Sequence, residues 1–149
     1  MFKHYIGPAC INYRVDLDQD WNTRCGEVHG FLADRPIKAS IGRTSGAWTI
    51  DGASIPGLDH LAHLDYGFTP ATNLQQIRAM ALKQGQSMSL PVAWFDLDAG
   101  TLTELPQRYE RIGEAAYRYA APTIPYEAVL ELSPDAFVAS YPGLWVTEA

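Results

Sequence analysis

The last third of the chain alternates apolar and polar residues with the two-residue period of strands. In Tyr126-Glu127-Ala128-Val129-Leu130-Glu131-Leu132, Tyr126, Ala128, Leu130 and Leu132 fall on one side and Glu127 and Glu131 on the other, the signature of a half-buried strand. Ser133-Pro134-Asp135 then supplies a turn, after which Phe137, Ala139 and Tyr141 alternate with Val138 and Ser140 until Pro142-Gly143 stops the pairing. The segment reads as a hairpin or meander corner.

The same period recurs upstream. Ile11, Tyr13, Val15 and Leu17 oppose Asn12, Arg14, Asp16 and Asp18 until Asp20-Trp21-Asn22 ends or kinks the strand. Gly26 to Leu32 forms a second, and Ile37, Ala39 and Ile41 mark a third after the Asp34-Arg35-Pro36 break. Ala47 to Ile50 follows, closed by Asp51-Gly52, a strong hairpin signal. Ser87 to Leu97 is apolar enough for a buried strand, with Pro91 demoting it to an edge or bulge, and 107–119 is strand interrupted by Gly113. Residues 73–83 are ambiguous. Propensity favours a helix capped by Thr72 or Asn73 and terminated by Gly85, while the alternation of Met80 and Leu82 permits a short strand. Many short strands predict a mainly β fold, a curved and largely antiparallel sheet, sandwich or partial barrel with little helix.

At 149 residues, 47% of them hydrophobic, the chain holds apolar material for one substantial core and reads as a single domain over 1–149. Seventeen acidic against eleven basic residues give a net charge of −6, with the bases dispersed, so nucleic acid is disfavoured as a partner. Cys10 and Cys25 have no zinc-like spacing, and a disulfide between them is neither required nor excluded. Residues 1–8 contain no continuous apolar run of the signal-peptide kind, and no segment approaches the roughly 20 apolar residues that span a bilayer. The expectation is a cytoplasmic protein that is not an integral membrane protein.

Motifs of known chemistry are weak. Asp16-x-Asp18-x-Asp20 with Glu27 has the acidic spacing of a calcium loop, but Trp21 stands where the loop needs glycine. His60, His63 and Asp65 gather round a metal only if the segment is helical. No Gly-x-Ser-x-Gly elbow and no phosphate cradle is present. The sequence therefore calls for no catalytic residue, metal or cofactor. A more informative polar set, Asp65, Thr69, Thr72, Asn73, Arg78, Gln107, Arg108 and Arg111, is interleaved with aromatics. Such groups at one end of an apolar space orient a polar head, and they equally satisfy turn backbone or pair with surface acids.

Several of these segments carry a resemblance. Tyr13-Arg14-Val15, Asp20 to Arg24, Gly46-Ala47-Trp48 with Asp51-Gly52, and Asp65 to Asn73 leading to Ile77-Arg78 stand in that order. Gln107-Arg108-Tyr109, Tyr117-Arg118-Tyr119 and Val138 through Tyr141-Pro142-Gly143-Leu144-Trp145 complete the run. Together they resemble the bacterial family named Putative glycolipid-binding. The resemblance implies a spiral β-roll or half-barrel, similar to lipoprotein and lipid carriers, with an apolar cavity for acyl chains. Members carry further N-terminal strands before the segment matching Tyr13 to Val15, so it implies a short N-terminus and a cavity wall that is missing or supplied by another chain. Gln75-Gln76 stand where the family has a proline, and the resemblance tilts 73–83 towards strand.

The function this implies is non-enzymatic binding of a glycolipid or other amphipathic acyl ligand. Arg78, Asn73 and Arg108 are the expected polar contacts, with Trp21, Trp48, Trp94 and Tyr109 as lining. Two alternatives stay open: a small hydrolase or isomerase of lipid-like substrates using His60, His63 and Asp65, and an interaction module, including a homodimer, that pairs through an open sheet edge.

Overall fold

The computed structural model describes residues 7–143 and the backbone of Trp145–Val146; the N-terminal residues 1–6, Leu144 and the side chain of Trp145, which entered the readings above, lie outside the described residues. The fold is mainly β, three sheets with a single α-helix among the described residues. The first sheet is an antiparallel meander of β1 (Ala9–Leu17), β2 (Thr23–Leu32), β3 (Arg35–Thr44), β4 (Ala47–Ile50) and β5 (Ala53–Ile55). A small sheet follows, in which β6 (Leu64–Tyr66) runs parallel to β8 (Val92–Asp96) and β8 antiparallel to β9 (Thr101–Leu105). The second large sheet runs in the order β14 (Trp145–Val146), β13 (Val138–Tyr141), β12 (Tyr126–Leu132), β11 (Ala116–Ala121), β10 (Arg108–Arg111) and β7 (Ser87–Ser89). None of the three closes on itself, in keeping with a curved roll and not a barrel.

Turn chemistry fixes much of this layout. Asp51 and Gly52 both adopt positive φ (49° and 81°) with Ile50 opposite Ala53, the two-residue hairpin that Asp-Gly predicts. Ser45-Gly46 turns the same way between Thr44 and Ala47 (φ 50° and 87°). Pro91 falls between β7 and β8, where the chain leaves the second large sheet for the small one. A residue without an N–H suits such a crossing, because no ladder bond is lost there.

The small sheet sits between two cores. Ala93 and Phe95 of β8 pack with Trp48, Ile41 and Tyr66 in the first core, while Val92 and Trp94 pack with Tyr109, Tyr119 and Leu130 in the second. Successive side chains of a strand point to opposite faces, so β8 is apolar in both phases because both faces are covered. On β6, Leu64 and Tyr66 enter the first core, and Asp65 between them is aimed the other way.

Residues 73–83 correct the tilt towards strand. They begin with a helix, α1 (Asn73–Met80), entered through a 3-10 turn at Pro70–Thr72. Asn73, Gln76, Ile77 and Met80 are all buried, the i, i+3, i+4, i+7 stripe of a helix packed on one face. Thr69 accepts the amide of Ala71 at 3.2 Å, and Pro70 opens the turn. The helix stops at Ala81, which takes left-handed backbone (φ 46°, ψ 42°), four residues before the expected Gly85. The phase of β13 also departs from expectation. Leu132 faces Val138 and Glu131 faces Ser140, so Ala139 is an extra residue, a β-bulge. Val138 and Tyr141 are consequently both buried, and Phe137 is left exposed.

Candidate functional site

A buried polar seam joins the small sheet, α1 and the second large sheet. Asp65 accepts from the Thr72 hydroxyl at 2.5 Å and from Gln107 Nε2 at 3.0 Å, and the same Gln107 nitrogen contacts the Tyr119 hydroxyl at 2.9 Å. Thr72 Oγ1 also accepts the amide of Tyr66 at 3.2 Å. On the helix, Asn73 Nδ2 donates to the Tyr109 hydroxyl at 2.7 Å, and that hydroxyl donates to Gln76 Oε1. Gln75 reaches back to the carbonyl of Leu64. Burial raises the Tyr109 and Tyr119 hydroxyls above their ordinary titration range, with the neighbouring Asp65 contributing to both, so both stay neutral, Tyr109 donating to Gln76 and Tyr119 accepting from Gln107.

Above this seam lies a groove of about 740 Å³. Its walls are the end of α1, the β10–β11 connection and the turn from β12 to β13. Its apolar surface comes from Ile77, Leu82, Tyr117 and Leu132; its charged groups are Arg78, Arg111 and Glu114. The volume falls in the range of small-molecule sites, about 300–1,000 Å³. Arg111 crosses from β10 to donate to the carbonyls of Leu82 (2.9 Å), Gly113 (3.2 Å) and Glu114 (2.7 Å), and its guanidinium lies 5.9 Å from the Tyr117 ring centroid.

The expected site residues separate into five places. Arg78 lines the groove, with its guanidinium 5.9 Å from the ring centroid of Trp21. Trp21 is held there by a tight turn in which Asp18 Oδ1 accepts the amides of Asp20 and Asn22, allowing Trp21 a φ of 68°. Asn73 and Tyr109 meet each other, inside the seam and away from solvent. Trp94 is half-buried in the second core with its indole against Gly67. Trp48 is fully buried in the first core, donating to the Leu61 carbonyl at 3.2 Å, and Arg108 is exposed, bonded to Ser87 at 2.7 Å. Neither of the last two is among the residues that line the groove.

Of the groove residues, Arg111 stood in the polar set read from the sequence, whereas Ser133-Pro134 was legible only as a turn. Gln76 carried no signal beyond replacing a proline. His60, His63 and Asp65 do not converge: His60 pairs with Glu104 at 3.1 Å on the surface, His63 is buried, and Asp65 bonds Thr72 and Gln107. Among the described residues no group of three metal-ligating side chains gathers, and Cys10 and Cys25 are free thiols.

Known proteins place this architecture. The chain is similar to the crystal structure of a DUF1089 family protein from Pseudomonas aeruginosa, with a TM-score of 0.84 and 26% identity over 95% of this chain and 78% of that one. No curated protein matches. The sequence profile described as Putative glycolipid-binding matches residues 3–147. Within that span, the segments Asp65 to Asn73, Gln107 to Tyr109 and Tyr117 to Tyr119 supply most of the buried seam, and on this match the chain belongs to the Putative glycolipid-binding family.

Proposed function

We propose that this chain binds an amphipathic acyl ligand of the glycolipid class, without chemical conversion, in the groove between α1 and the second large sheet. The observation that carries the reading is the groove itself, an apolar surface of Ile77, Leu82 and Leu132 with arginines beside it. Each methylene removed from water contributes about 0.8 kcal/mol, so a tail of about ten contributes roughly 8 kcal/mol before ordering costs. The seam beneath fixes the helix that forms one wall, so little of that gain is spent on ordering the protein. The structure of the DUF1089 relative and the family description support a shared fold and a binding role.

The test is native mass spectrometry of protein purified from its host, followed by solvent extraction. A stoichiometric lipid is expected, and Ala115→Trp is expected to displace it, because Ala115 is exposed and lines the groove. A lipid retained at full occupancy in Ala115→Trp places the ligand elsewhere and ends this reading.

A further inference from the structure

We propose that the head group taken by this groove carries a carboxylate; the inference rests on the groove being the binding site. Acids outnumber bases in this chain, and three arginines are already paired, Arg14 with Asp16, Arg35 with Asp98 and Arg118 with Glu110. The two arginines of the groove are not: among the described residues neither Arg78 nor Arg111 meets a carboxylate. Arg78 reaches only the Asp135 carbonyl, at 3.5 Å, the outer limit of a hydrogen bond, and the face of Trp21. Its donor fork is therefore almost wholly available.

Arg111 complements it. Three backbone carbonyls fix the direction of its guanidinium, and each terminal nitrogen retains a second hydrogen. Two guanidinium groups and Glu114 leave a local charge of one positive unit, which matches a monoanion. The planar fork of arginine fits the two oxygens of a carboxylate. That group belongs either to a fatty acid or to the sugar of an acidic glycolipid.

Dodecyl glucuronide and dodecyl glucoside share chain and ring and differ by a carboxylate in place of a hydroxymethyl group, and laurate offers the carboxylate without the sugar. Calorimetric titration of all three below their micellar concentrations separates the possibilities. The glucuronide is expected to bind about tenfold more tightly than the glucoside, the effect of one charge-assisted pair. Arg78→Gln should bring the ratio to within about twofold, whereas Arg118→Gln, whose side chain does not line the groove, leaves it unchanged. Laurate at or above the glucuronide's affinity supports a fatty-acid carboxylate, and weaker binding supports an acidic sugar. Equal affinity of the matched pair, or a ratio indifferent to Arg78→Gln, overturns the carboxylate assignment while the groove stands. Failure of all three to bind overturns the groove as the site.

Discussion

The hydroxyl of Tyr109 donates to Oε1 of Gln76 at 2.5 Å, with both side chains fully buried. The Tyr109 hydroxyl oxygen in turn accepts from Asn73 Nδ2 at 2.7 Å. One hydroxyl on β10 thus fastens two positions of α1 that lie one turn apart on a single face. The opposite edge of that helix carries Arg78 to the groove, so the hydroxyl sets the groove wall without touching a ligand.

Tyr109→Phe keeps the ring and removes this junction. It leaves Gln76 Oε1 without its donor and Asn73 Nδ2 without its acceptor, both buried, so the variant is expected to lose about 1–3 kcal/mol in urea unfolding. Amide exchange in α1 should accelerate more than in β2 and β3. A variant with unchanged stability and helix protection shows that the junction does not hold the helix.

Asp65 is buried beside Thr72 and Gln107. Thr72→Val is close in shape but removes both the hydroxyl that donates to the carboxylate and the acceptor of the Tyr66 amide. Loss of about 2–4 kcal/mol is expected, since a charged acceptor and a backbone donor are stranded together. Pairing the change with Asp65→Asn in a double-mutant cycle should recover part of that loss; strict additivity disproves the coupling.

How much of this was legible in the sequence depends on the distance over which the signal acts. The alternation in β1, β3 and β12, and the Asp51-Gly52 turn, are local effects of pleat and φ preference, and they appear where expected. For residues 73–80 propensity favoured the helix while alternation left strand open, and the buried face that decides it is polar: Asn73 Nδ2 and Gln76 Oε1 are inside bonded to the Tyr109 hydroxyl, and Gln75 Nε2 to the Leu64 carbonyl. An amphipathic-pattern search does not register such a face. The bulge at Ala139 was hidden for a related reason, since an extra residue in a strand is defined by its partner across the sheet. Asp65, Thr72, Asn73 and Gln107 were legible as a polar set, but whether they faced a ligand or each other is a tertiary fact. The partnership of Arg78 and Trp21, 57 positions apart, had no sequence signal.

Gly30 bears on the first sheet. Its φ is +148°, and a Cβ there would lie 1.9 Å from the carbonyl oxygen of Cys10 on the neighbouring strand. The obstacle is ladder backbone, which cannot move without breaking the β1–β2 pairing. Gly30→Ala is expected to cost at least about 3 kcal/mol. A crystal structure of a stable Gly30→Ala protein with β1 and β2 still in register would refute this account.

Ala81 tests the end of the helix in the opposite direction. Left-handed backbone strains an alanine, and glycine relieves it. Ala81→Gly should therefore raise stability by about 0.5–1 kcal/mol despite the greater freedom it gives the unfolded chain. Because Ala81 lines the groove, chain-length selectivity measured with alkyl glucosides reports whether the lost methyl group also deepens the site.

His63 gives the protein a defined response to acid. Burial lowers its pKa below the ordinary 6.5; the charge of Arg43 acts the same way, while a backbone hydrogen bond with Trp21 and the charge of Asp18 oppose it. Its Nδ1 meets no hydrogen-bond partner among the described residues. The folded chain therefore favours neutral imidazole, and the unfolded chain takes up the proton first as pH falls. The contribution is fully present above 6.5 and is lost as pH falls from there through the lower folded value. Melting temperatures of wild type and His63→Gln across about pH 5 to 8 should show a steeper acid slope for wild type. Parallel slopes would assign the acid sensitivity to other groups. A steeper wild-type slope accompanied by a change in Trp21 fluorescence would connect the histidine, through its bond to the Trp21 backbone, to the wall on which Arg78 rests.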